Sequence, residues 1–172
     1  MSTDPRGPEA WDRIWAPHRS AYLSDEAGTF DEDSCPFCIA QEVDDASGLV
    51  VIRRKFSFVV LNKYPYNSGH LLICTNRHVP LYDELSVEEI IEIGELTAQS
   101  MRTLRKVSGA KGFNIGLNQG DVAGAGVAGH IHQHVVPRWA GDINFMAIIG
   151  GTKILPELLE QTRELLFKNW SD

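Results

Sequence analysis

Cysteine is scarce in this chain: three residues in 172, two of them in Cys35-Pro36-Phe37-Cys38. An odd and low count argues against a secreted disulfide framework. No apolar run is long enough to span a bilayer, so no membrane partner is expected. Residues 1–8 lack the basic start and apolar stretch of a secretory leader. Positive charge is short as well, with 16 Lys and Arg against 23 Asp and Glu, a net charge of −7. That balance speaks against a general nucleic-acid binder, which needs a basic face. It still allows a small anionic ligand, because a local pocket can be positive on an acidic protein. Internal repeats and low-complexity tracts are missing. With 43% hydrophobic and 23% charged residues, the expectation is one cytoplasmic globular unit with a core of its own.

The organisation follows from periodicity. Trp11, Ile14, Trp15 and Tyr22 suit one amphipathic helix, and 24–34 an acidic loop. Strands are expected at 49–52 and 56–61, joined as a hairpin around Arg53-Arg54-Lys55. A turn-rich loop, 62–69, leads to a third strand at 70–74. Ser86 and Glu89 form a capping box. Behind it Val87, Ile90, Ile91, Gly94, Ala98, Met101 and Leu104 recur at helical spacing, with Gly109 as the stop. Strands four and five are placed at 113–118 and 130–137. A second helix is expected over 156–170, with Leu158, Leu159, Thr162, Leu165 and Leu166 on one face. Successive strands with few helices between them favour an antiparallel α+β sheet.

What is abundant is histidine in one place. Three of the six histidines stand in Gly129-His130-Ile131-His132-Gln133-His134-Val135-Val136-Pro137. On a strand, alternate residues share a face about 6–7 Å apart. A single strand histidine is ordinarily structural, but three at period two beside a glycine-rich loop point to chemistry. Two readings stand: a three-histidine metal site, or a nucleophilic imidazole with two supporting partners. The loop 119–129 contains a literal G-x-G-x-x-G at Gly124, Gly126 and Gly129. No helix follows it, so a dinucleotide-binding fold is excluded. Glycine-rich backbone can still turn its N–H groups toward an anion. The Cys35/Cys38 pair is weak alone and gains weight if two histidines complete a Cys₂His₂ set. His78 and His130 are the candidates, with His70 a rival.

These residues resemble the histidine-triad (HIT) family of nucleotide hydrolases and transferases. The likeness rests on His130-x-His132-x-His134, with Asn62, Pro65, Gly69-His70-Leu71-Leu72, His78, Asn118 and the glycine loop in matching order, over residues 48–145. The stretches Asn62-Lys63-Tyr64-Pro65-Tyr66-Asn67 and Val135-Val136-Pro137-Arg138-Trp139 look closest to a bacterial branch that includes diadenosine tetraphosphate phosphorylases. The resemblance implies a five-stranded antiparallel sheet with two helices, dimerising into a ten-stranded sheet or assembling further. It divides the chain into an N-terminal extension (1–47), a HIT domain (48–145) and a C-terminal extension (146–172). It implies cleavage of a dinucleoside polyphosphate at the α-phosphorus, with water or inorganic phosphate as acceptor. His132 would be the nucleophile and His134 the acid. His130 would be the anchor, held by zinc or by His70. Asn62, Asn118, Gly124, Ala125, Gly126 and Trp139 would bind substrate. A structural zinc would sit on Cys35, Cys38, His78 and His130, with no organic cofactor and no obligatory divalent ion for the chemistry. Where those phosphorylases tend to carry Gly-Gly-Ser, this chain has Gly124-Ala125-Gly126 and so lacks a hydroxyl. Rival readings are a phosphoramidate or mononucleotide hydrolase of the same family, a non-catalytic nucleotide binder, and a zinc module in which every histidine is a ligand.

Overall fold

Five short runs of β-branched and aromatic residues become five strands of a single sheet. The structure, a computed structural model, describes residues 30–142 and 158–170. The strands are β1 (Val50–Arg53), β2 (Ser57–Leu61), β3 (Leu71–Thr75), β4 (Gly112–Leu117) and β5 (His132–Arg138). Their order is β1-β2-β3-β5-β4, and every neighbouring pair is antiparallel. Within the described residues the helices are α1 (Pro36–Glu42), α2 (Val87–Ser108) and α3 (Leu159–Asn169). None is long and apolar enough to cross a membrane. The predicted N-terminal helix, most of the 24–34 loop and residues 143–157 lie outside the described residues.

Side-chain alternation splits the core in two. Val59, Leu61, Leu71, Ile73 and Val135 pack under α2 and α3 through Ile93, Leu96, Leu104 and Leu166. Phe58, Val60, Leu72 and Cys74 face the other way, against Phe37 and Ala40 of α1 and Val127 of the loop. Covered on both faces, β2 and β3 are buried throughout. That is why they read as continuous apolar runs.

Helix α2 begins with the expected capping box: Glu89 N–H donates to Ser86 Oγ at 3.2 Å, and Ser86 N–H to Glu89 Oε2 at 2.8 Å. It ends at Gly109, whose φ of 64° is the left-handed turn that glycine adopts without strain.

Several expectations need correction. Three helices are described, not two, because the cysteine segment is itself helical. Pro36 at the first helical position presets φ for it. The fifth strand starts at His132, not His130: Ile131 N–H donates to Val79 O at 2.7 Å, so the chain is still outside the sheet there. The buried stripe of α2 is Glu89, Ile93, Leu96, Ser100, Thr103 and Leu104. Val87 and Ile91, expected inside, are exposed. The helix carries two apolar stripes, and the sheet takes one. On α3, Thr162 and Leu166 are buried, while Leu158 and Leu165 are exposed.

Candidate active site and metal centre

Strand β5 is the middle of the site. His132 pairs with Cys74 and His134 with Leu72 of β3, so both imidazoles stand on the sheet face that α1 only partly covers. On the other side, Gly116 of β4 is opposite His134. Gly116 is exposed, and a Cβ there would meet nothing within 4 Å, so the space at that point of β4 is open. The same register ends with Leu117 opposite Gln133, so Asn118 is the next residue at the end of β4 that lies toward the start of β5. Gln133 points to the helix face and donates to Thr97 Oγ1 at 2.6 Å, as the period-two reading requires.

Hydrogen bonds fix the tautomers. The Nδ1 of His132 lies 2.8 Å from the carbonyl oxygen of His130. A carbonyl only accepts, so Nδ1 carries the proton and Nε2 keeps its lone pair. Burial lowers the His132 pKa below the ordinary histidine value, which keeps the ring neutral and the lone pair available near pH 7. The fully buried His70 receives the Tyr66 backbone N–H at Nδ1 (3.0 Å), and the Asn62 amide reaches the same nitrogen (3.2 Å). The His70 proton is therefore on Nε2, which donates to His134 Nδ1 at 2.9 Å. The proton of His134 then sits on Nε2. His70 thus supports His134 and does not anchor His130. Asn62 is also bound through Oδ1, which accepts the Tyr64 N–H at 2.9 Å.

His130 belongs to a second cluster. Its Nε2 donates to Thr75 O at 2.8 Å, which leaves Nδ1 as a lone pair 3.4 Å from Cys35 Sγ and 3.5 Å from Cys38 Sγ. His78 Nδ1 is 3.3 Å from Cys38 Sγ. One donor atom from each of the four residues lies within 4.8 Å of the others. Bonds of about 2.3 Å to sulfur and 2.05 Å to nitrogen at a tetrahedral angle give a nitrogen–sulfur edge of about 3.6 Å. The spacings here match that edge closely, so the four residues fit a metal ion. The carbonyl held by His130 Nε2 is the outer partner that such a ligand ordinarily has. Burial, reinforced by Cys35, pushes the Cys38 thiol up to about 12, so a cation is what would make it a thiolate. Burial likewise brings His130 down to about 4.

The loop 121–129 runs between Asn118 and this cluster. Gly124 has a φ of 78° and is exposed, Ala125 is buried, and the Ala125 N–H donates to Gly120 O at 3.3 Å. Trp139 is not brought to the histidines. It follows β5 on the opposite parity, donates from Nε1 to Ser108 O at 2.9 Å, and lines a cavity of about 470 Å³ with Leu104, Thr162 and Leu166. Sequence reasoning missed Phe37, Tyr66 and Gly116. The Phe37 ring lies 4.9 Å from His132, and Tyr66 stacks 5.5 Å from His134 at 16°. Only the position of Phe37 between the cysteines hinted at this.

The family model for the HIT domain matches residues 44–141. This chain belongs to the HIT family. It is 43% identical to an AP-4-A phosphorylase of Mycobacterium tuberculosis, across 92% of this chain and 84% of the relative. It is 32% identical to an asymmetrical bis(5′-nucleosyl)-tetraphosphatase of Schizosaccharomyces pombe, over 55% of this chain and 52% of that one. Among solved structures, a Zn-bound histidine triad family protein from Mycobacterium smegmatis superposes with a TM-score of 0.66 at 26% identity, covering 81% of this chain and 95% of that one. The HIT sheet expected from the sequence is thus present, with His132 and His134 on one face of it and His130 turned to the cysteines.

Proposed function

We propose that this HIT protein cleaves diadenosine tetraphosphate, or a close dinucleoside polyphosphate, at the α-phosphorus through a nucleotidyl-His132 intermediate. The observation that carries this reading is the fixed tautomer of His132, whose Nδ1 is held at 2.8 Å by the His130 carbonyl. Its Nε2 attacks the α-phosphorus, and the bond to the bridging oxygen breaks. His134 supplies its Nε2 proton to the departing ATP. Inorganic phosphate then takes the adenylyl group from His132, giving ADP and restoring the imidazole. Asn118 and the loop amides around Gly124–Gly126 hold the phosphoryl oxygens. Asn62 braces His70 through its amide and would hold the ribose hydroxyls of the substrate. The mycobacterial relative supports phosphate as acceptor. The missing hydroxyl at Gly126 favours water instead. Product analysis separates the two: ADP plus ATP only when phosphate is present, or AMP plus ATP without it. Absence of any cleavage would reject the enzyme reading in favour of a nucleotide binder.

The metal is proposed to be zinc, held by Cys35, Cys38, His78 and His130. Its charge would balance two thiolates and lock His130; it has no part in bond cleavage. The donor spacings support it, as does the Zn-bound HIT structure. We further propose a homodimer, supported by the exposed Val87 and Ile91 of α2 and Ile115 on the edge strand β4. A cytoplasmic setting suits the free thiols of Cys35, Cys38 and Cys74. The proposed substrate contact of Trp139 lacks support within one chain, because its ring lies on the helix face.

A further inference from the structure

We propose that Phe37 is a positioning residue for the His132 nucleophile, which makes the short cysteine-bearing helix part of the catalytic apparatus. This rests on the reading of His132 as nucleophile. The hydrogen bond from His132 Nδ1 to the His130 carbonyl fixes the tautomer, but one bond leaves the ring free to tilt about its own axis. Ring contacts restrict that tilt. His134 lies 5.2 Å away along the strand, and Phe37 lies 4.9 Å away at an interplanar angle of 47°. Phe37 also packs edge-on against His130 at 5.5 Å, at the end of the row farther from His134. One aromatic side chain therefore touches both the nucleophile and the residue whose carbonyl orients it.

The position of Phe37 is itself set by the helix. Helix α1 has seven residues and no side-chain cap, so it is too short to be stable alone. It is held from outside. Arg53 donates to the carbonyls of Ala40 at 2.9 Å and Val43 at 3.4 Å, which satisfies the helix C-terminus. At the other end, Cys35 and Cys38 meet His130 and His78. Two fixed points three residues apart define the rotation of the helix. Phe37, between them, is aimed at β5 as a result. Simple apolar packing against Phe58, Leu72 and Val127 would require an apolar residue here. It would not require a flat ring against an imidazole.

The test uses the full-length protein purified with its metal, assayed on diadenosine tetraphosphate. Phe37→Leu and Phe37→Met keep apolar volume and remove the ring; Phe37→Tyr restores it. The expected result for the ring-less variants is unchanged metal content, a KM within about 2-fold, and a kcat lowered at least about 10-fold. Phe37→Tyr recovers most of that loss. In ¹H–¹⁵N spectra, the His132 ring signals of Phe37→Leu shift and broaden while keeping the Nδ1–H pattern. Ile39→Ala on the exposed side of the same helix leaves kcat unchanged. Wild-type kcat in Phe37→Leu or Phe37→Met, or a loss that tracks metal release, overturns the proposal. His132→Ala is measured alongside. If it is inactive while Phe37→Leu is unimpaired, only the role of Phe37 fails. If it turns over, the nucleophile reading fails.

Discussion

Replacing His70 by alanine separates support of His134, the proposed acid, from support of His132, the proposed nucleophile. His70 is fully buried, and its ring nitrogens meet the Tyr66 N–H at 3.0 Å, the Asn62 amide at 3.2 Å and His134 Nδ1 at 2.9 Å. Asn62 is only partly buried and can turn to water. The Tyr66 amide loses its acceptor, which costs about 1–3 kcal/mol. The space left by the ring adds to this, so a Tm fall of about 5–10 °C is expected for a chain of this size. The effect on turnover is larger and specific. Without the donor at Nδ1, His134 no longer holds its proton at Nε2, and a positioned general acid contributes about 10²–10⁴-fold. The Nδ1 bond of His132 to the His130 carbonyl is untouched. The assay compares diadenosine tetraphosphate with the p-nitrophenyl ester of AMP, whose acidic leaving group needs no proton. His70→Ala and His134→Ala should lose about 10² or more in kcat on the first substrate and much less on the second. Equal losses on both substrates would refute the relay from Tyr66 through His70 to His134.

Cys38→Ser removes a proposed sulfur ligand in contact with both His78 and His130. Metal content by mass spectrometry should fall below about a tenth of an equivalent, with lower stability, because metal binding and folding are coupled. Gly129→Ala puts a methyl 2.8 Å from the Phe30 carbonyl and 3.1 Å from His78 Nε2. Displacement of that wall should cost about 1–3 kcal/mol and weaken metal retention, read by chelator competition. The pH dependence has a definite sign. Arg77 holds the Glu89 carboxyl down to about 2, against an ordinary 4.5. A depressed folded-state pKa means that this contribution is complete above pH 4.5 and is lost as pH falls toward 2. Denaturant titrations between pH 7 and 3 should show a steeper loss for wild type than for Glu89→Gln.

The antiparallel sheet was legible because its strands carry strong local signals, and the capping box of Ser86 with Glu89 was legible for the same reason. Burial was less so. Helix α2 has two apolar stripes, and nothing local says which one the sheet will cover. Helix α1 is seven residues long, below the length at which periodicity speaks. In the site, the histidine spacing correctly put His132 and His134 on one face. It could not show that the chain turns at Ile131 and sends His130 to the cysteines. That depends on Val79 and Thr75, which lie more than fifty residues earlier. The pairing of His70 with His134 was hidden for a similar reason: the β3–β5 register that brings Leu72 beside His134 is set by the whole sheet.

The central claim is that His132 carries the nucleotide covalently. Rapid mixing with diadenosine tetraphosphate in the absence of phosphate, followed by an alkaline quench that preserves phosphoramidates, would show it. Peptide mass spectrometry should find an adenylyl group on His132 in wild type and none in His132→Ala. An adduct on His130 or His134, or turnover by His132→Ala, would contradict the account.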